Sequence, residues 1–157
     1  MKRFLFLTYY QLIVYNTTNQ EVFTIKKISI RSEKRAVNAF LKELREVLNA
    51  EDFNLDNNLV IIKSGKEQPK FSTGYTMVDL DYDSNDVANR LKELTLSEYS
   101  ETLYDKDDDN PPLLFVFGKD INNRLVYIKI KIKSEDTKRV LCLSFHYAMH
   151  DMDFPYA

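Results

Sequence analysis

Tyr127, Lys129, Lys131 and Lys133 recur at every second position, and His146 follows on the next apolar stretch. On a β-strand that period puts successive side chains on opposite faces, so these residues share one face. A sheet face that sets a tyrosine, lysines and a histidine side by side can cleave RNA through the ribose 2′-OH. A base removes that proton, the oxygen attacks the adjacent phosphorus, and an acid protonates the departing 5′-oxygen. Histidine suits either role, since its unperturbed pKa is about 6.5. Lysines stabilise the charge that develops on phosphorus, and a tyrosine orients phosphate or stacks on a base. The same alternation also describes an ordinary solvated sheet face.

The stretch from Leu113 to Tyr147 must position these groups. It reads as three antiparallel strands, the C-terminal meander of one sheet. With Asn122-Asn123 as a two-residue turn, Ile121 pairs with Arg124, Phe117 faces Ile128, Phe115 faces Ile130 and Gly118 lies across from Tyr127. With Ser134–Thr137 as the next loop, Lys133 opposes Lys138, Ile130 faces Leu141, Ile128 faces Leu143 and Val126 faces Phe145. That register sets Ser144 across from Tyr127 and Cys142 across from Lys129 on the polar face. His146 becomes the diagonal neighbour of Tyr127. Gly118 then leaves room for a ligand, and Lys119 adds a positive charge at the strand end.

Upstream, residues 4–15 and 21–30 read as a hairpin, with Asn16–Asn19 as its turn. Ser32 is placed to cap a helix over Glu33–Leu48, where Val37, Phe40, Leu41, Leu44, Val47 and Leu48 recur at helical spacing. A short strand follows at Leu59–Lys63 and a loop at Ser64–Gly74. Tyr75–Tyr82 reads as extended. Asp83 or Ser84 caps a second helix, and Ser97–Ser100 forms a helical turn leading into Glu101–Tyr104. Helices followed by a meander put the chain in the α+β class, with helices on one face of an antiparallel sheet.

At 157 residues the chain is large enough for one domain with a real core, and ten Tyr and ten Phe argue against disorder. The division expected is residues 1–30 as a β-rich segment or appendage and 31–157 as the main domain. A net charge of −2 gives no global support to nucleic-acid binding, which would need a local basic patch. A single cysteine excludes an intrachain disulfide and fits a reducing cytoplasm. Lys2-Arg3 before an apolar run resembles a signal-peptide start, but polar residues interrupt it and no small-residue cleavage site follows. The run is also too short to span a bilayer as a helix.

Other constellations carry less. His146, His150, Asp151 and Asp153 have zinc-like residue types, yet the i,i+4 spacing serves zinc on a helix and His146 ends a strand. Ser64-Gly65-Lys66 lacks a phosphate-loop glycine pattern. The acidic run Asp105–Asp109 lacks calcium-loop spacing. Cys142 is read as packing. No metal or cofactor is expected.

Two stretches resemble a known family. Val126-Tyr127-Ile128-Lys129-Ile130, with Val140-Leu141-Cys142-Leu143-Ser144-Phe145-His146, is similar to the end of MqsR-type toxins (motility quorum-sensing regulator), ribonucleases with a RelE-like fold. Leu94-Thr95-Leu96-Ser97-Glu98-Tyr99 resembles the stretch before that family's first active-site strand. The similarity covers roughly Asp83–Tyr147. It implies a metal-independent, mRNA-cleaving toxin of a type II toxin–antitoxin module, acting in the cytoplasm on RNA. Its partner would be an antitoxin, often with a zinc-binding segment and a helix-turn-helix.

Carried over residue by residue, the family's strand tyrosine matches Tyr127, and its basic residue after Ser-Phe falls on His146. Its lysine after the helical turn falls near Glu101, with reversed charge, and its strand glutamine falls near Leu114. The expected site is therefore Tyr127, His146 and Glu101 for catalysis, with Glu101 as base and His146 as acid. Lys129, Lys131 and Lys119 would hold phosphate. The alternative is a module of this fold that binds RNA or protein without cutting it.

Overall fold

The computed structural model describes residues 29–63, 68–104 and 113–157. The proposed hairpin at 4–15 and 21–30 lies outside the described residues except for Ser29–Ile30, and so does the run 105–109.

The described strands form one six-stranded sheet. In chain order they are β1 (Ser29–Ile30), β2 (Leu59–Ile61), β3 (Tyr99–Leu103), β4 (Leu114–Ile121), β5 (Arg124–Ser134) and β6 (Lys138–Tyr147). Their spatial order is β1-β3-β4-β5-β6-β2, antiparallel except for β2, which pairs parallel with β6. The chain is α+β, and the meander has four strands rather than three. The last two residues of the stretch 1–30 belong to the sheet as β1.

Among the described residues four α-helices accompany it: α1 (Lys34–Leu48), α2 (Leu55–Asn58), α3 (Thr73–Asp79) and α4 (Ser84–Lys92). The apolar stripe of α1 is buried, as its spacing predicts. Phe40 stacks on Phe115 with ring centroids 4.1 Å apart, and Phe117 meets Tyr99 edge-on at 5.9 Å. This helix-side core takes in Val126, Ile128, Ile130, Val140, Cys142, Phe145 and Tyr147 from the meander.

Two local readings change. Ser32 does not cap α1; Glu33 holds that position without a side-chain hydrogen bond. Ser32 is buried instead, its N–H donating to the Tyr99 hydroxyl and its own hydroxyl bonded to Thr102 Oγ1. Tyr75–Tyr82 is not extended. It largely forms α3, because Ser72 caps Tyr75 and the Thr73, Thr76 and Met77 side chains reach the core. Thr73 and Thr76 accept from the backbone N–H groups of Phe145 and Tyr147, a tie that apolar patterning does not reveal. Asp83 caps α4 through a capping box, as expected.

Candidate active site

The β4–β5 register is the predicted one: Phe115 pairs with Ile130, Phe117 with Ile128, Gly118 with Tyr127 and Ile121 with Arg124. Asn122 and Asn123 both adopt positive φ, at 53° and 61°, as a two-residue hairpin turn requires.

The β5–β6 register departs from the prediction. Lys133 faces Arg139 rather than Lys138, and Ile130 faces Cys142 rather than Leu141. The pairing then shifts, so that Lys129 faces Ser144, Ile128 faces Phe145 and Tyr127 faces His146. Leu143 is the residue left over, a β-bulge. A uniform strand would send either Val140 and Cys142 or Phe145 and Tyr147 to the core. The bulge sends both pairs there. Leu143 packs on a small outer-face cluster built on Leu103, Leu114 and Val116.

Three corrections follow. Cys142 lies in the core and not on the polar face. Ser144 lies across from Lys129, and His146 lies directly across from Tyr127. Burial raises the Cys142 thiol from an ordinary 9.0 to about 12. A thiol reagent at neutral pH should therefore leave the folded protein untouched and react fully once denaturant is added. Rapid reaction of the native protein would contradict this placement. The folded form keeps that proton while the unfolded form releases it near 9.0, so the stabilising contribution is intact below that pH and lost as pH rises toward 12.

The outer face carries the candidate residues Tyr127, Lys129 and His146. Tyr127 and His146 stack, ring centroids 5.2 Å apart and planes within 19°. His146 is only 4% exposed, and its Nδ1 lies 2.9 Å from the Tyr147 carbonyl oxygen. A carbonyl can only accept, so Nδ1 carries the proton of this contact. Tyr127 is pushed up to about 12, first by burial and then by the negative charge of Glu101. It remains a phenol, able to donate, throughout the neutral range.

Glu101 reaches this face through a second irregularity. Tyr99 pairs with Phe117 and Glu101 with Val116, so a bulge at Ser100 turns Tyr99 to the core and Glu101 to the opposite face. The Ser29 hydroxyl of β1 donates to its carboxylate. Strand pairing brings Glu101 toward Tyr127 and Lys129.

These side chains open into a cleft of about 470 Å³. Glu101, Tyr127, Lys129, Ser144 and His146 line its floor, and Ser29 and Arg31 line one side. The tail after β6 supplies another wall, with His150, Asp151 and Asp153 among its lining residues. The tail also overturns the reading of Gly118. A Cβ there would lie 2.7 Å from Phe154 Cζ and 3.0 Å from Met152 Sδ. The space beside Gly118 is filled by the chain's own aromatic ring. Farther on, Tyr156 stacks on Tyr99 at 5.7 Å and donates to the Ser32 carbonyl oxygen.

Two expected phosphate ligands are not among the residues that line the cleft. Lys119 points to the helix side, where its Nζ lies 2.9 Å from Glu98 and 4.0 Å from Glu93. The alternation that sends Gly118 outward turns Lys119 inward, and the nearby carboxylates hold it there. Lys131 shares the face of Lys129 but is 4% exposed. The phosphate-binding candidates of the cleft are Lys129 and Arg31. Sequence reasoning missed Arg31 and Ser29 and considered His150, Asp151 and Asp153 only as a zinc-like group, because neither a two-residue edge strand nor an aperiodic tail leaves a pattern that places it beside the sheet face. Gly118 was the available signal: glycine inside a strand marks a close approach of other atoms.

Among the described residues, no group of three or more His, Cys, Asp or Glu is arranged to hold a metal, and no helix is long and apolar enough to cross a membrane. No protein-family model, curated protein or solved structure matches the chain.

Proposed function

We propose that the outer-face cleft cleaves RNA through the ribose 2′-OH, and that the chain is the toxin of a toxin–antitoxin pair. The carrying observation is the convergence of Glu101, Tyr127, Lys129 and His146, from three strands, on one cleft. Glu101 accepts the 2′-OH proton. Lys129 and the Tyr127 hydroxyl meet the phosphate, and the His146 imidazole contacts the charge that develops on phosphorus. The fold proposed is RelE-like, and the partner is a tightly bound antitoxin, as the resemblance to MqsR-type toxins implies. The site of action would be the cytoplasm.

The test is incubation of purified protein with single-stranded RNA of mixed sequence, in excess EDTA. The expected products end in 2′,3′-cyclic phosphate and 5′-hydroxyl. His146→Ala should slow their formation by about 10²–10⁴-fold and relieve growth arrest in a bacterium expressing the chain. Absence of cleavage by the wild type, or undiminished cleavage by the variant, would sink the proposal.

A second reading rests on the cleft's charges. Glu101, Asp151 and Asp153 place three acidic side chains against two basic ones, Arg31 and Lys129. That balance is poor for a polyanion. It favours a module that binds a protein partner on the same face without cutting RNA. Retention of a partner with no RNA products would support it.

A further inference from the structure

The cleft contains two imidazoles in different settings. His146 is on the floor, nearly buried, with Nδ1 engaged by the Tyr147 carbonyl. His150 lines the same cleft from the tail and is exposed to solvent. We infer that His150 is the general acid that protonates the departing 5′-oxygen, an assignment that rests on the ribonuclease reading above.

The cleft falls in the size range of a single small-molecule site, ~300–1,000 Å³. It can take the scissile phosphate and its immediate neighbours but not a length of polymer. The phosphate therefore sits over Lys129 and Tyr127 on the floor, and the strand carrying the 5′-oxygen leaves through the mouth. An acid for that oxygen must line the cleft and be open to water that restores its proton. His150 lines the cleft and is exposed to solvent.

The tail is held on both sides of His150. Before it, the Ala148 N–H donates to the Leu125 carbonyl oxygen at 2.9 Å, extending the sheet by one residue. Beyond it, Met152 packs on the outer apolar cluster, Phe154 covers Gly118 and Tyr156 is tied to Ser32. Only a glycine at 118 lets Phe154 seat in this way. Phe154 is thus a positioning residue for His150.

The step balances within the residues named. The 2′-O–H bond breaks and its proton passes to the Glu101 carboxylate. The 2′-O–P bond forms, and the P–O5′ bond breaks with its electron pair on O5′. O5′ takes the proton of the His150 imidazolium. The products are a 2′,3′-cyclic phosphate and a 5′-hydroxyl, with Glu101 protonated and His150 neutral until both exchange with water.

The test compares two substrates: single-stranded RNA, and uridine 3′-(p-nitrophenyl phosphate), whose phenolate departs without a proton. His150→Ala should slow RNA cleavage by about 10²–10⁴-fold and leave p-nitrophenol release near the wild-type rate. Phe154→Ala should show the same split to a smaller degree. His146→Ala should lose rate on both substrates. If His150→Ala cleaves RNA at the wild-type rate, or loses equally on both substrates, the assignment of His150 is overturned while the ribonuclease reading stands. If the wild type cleaves neither substrate, both fall.

Discussion

Glu101→Gln is expected to slow RNA cleavage by about 10²–10⁴-fold while the melting temperature barely moves. The two side chains have nearly the same shape. A glutamine still accepts the Ser29 hydroxyl hydrogen bond that the carboxylate accepts now. What it cannot do is take a proton from a 2′-OH. Glu101→Gln should therefore also fail on the p-nitrophenyl substrate, because a better leaving group does not replace a missing base. This separates a proton acceptor from a residue that merely shapes the cleft, whose loss would raise KM and leave kcat intact. Wild-type rates in Glu101→Gln would remove the carboxylate from the reaction.

Phe117→Ala should cost about 3–5 kcal/mol of stability, lowering the melting temperature by about 6–20 °C in calorimetry. Phe117 is fully buried, pairs with Ile128, and lies against the rings of Phe40 and Tyr99. Its neighbours belong to α1, β3 and β5, so no single element can shift to fill the void. The cost exceeds simple transfer of a side chain because the lining atoms lose their contacts. A loss under about 1 kcal/mol would mean that this core collapses more readily than its close ring packing indicates.

The parts legible in the sequence are those governed by one period at a time. The stripe of α1, the cap at Asp83 and the β4–β5 hairpin each follow from local spacing or turn chemistry. The Asn122-Asn123 turn fixed a register without any knowledge of the rest of the fold. Prediction failed where the period changes inside an element. Leu143 and Ser100 are bulges, and each flips the faces of the residues beyond it. An alternating pattern cannot announce its own interruption, because the bulged residue is as apolar or as polar as its neighbours. The candidate site was half legible for the same reason. Tyr127, Lys129 and His146 share a face as expected. Lys119 fell on the wrong side, and Glu101 reached the cleft by a route that spacing does not encode. The tail was illegible because long-range packing against Gly118 and Tyr99 holds it, rather than any repeat of its own.

The cleft wall is separable in sequence from the floor. Every strand that forms the floor precedes residues 148–156. A single cut after β6 would leave the Tyr127–His146 stack on its own strands and take away His150 together with the Phe154 plug. On the assignment of His150 as acid, proteolysis there would disarm the cleft without cutting any strand of the sheet.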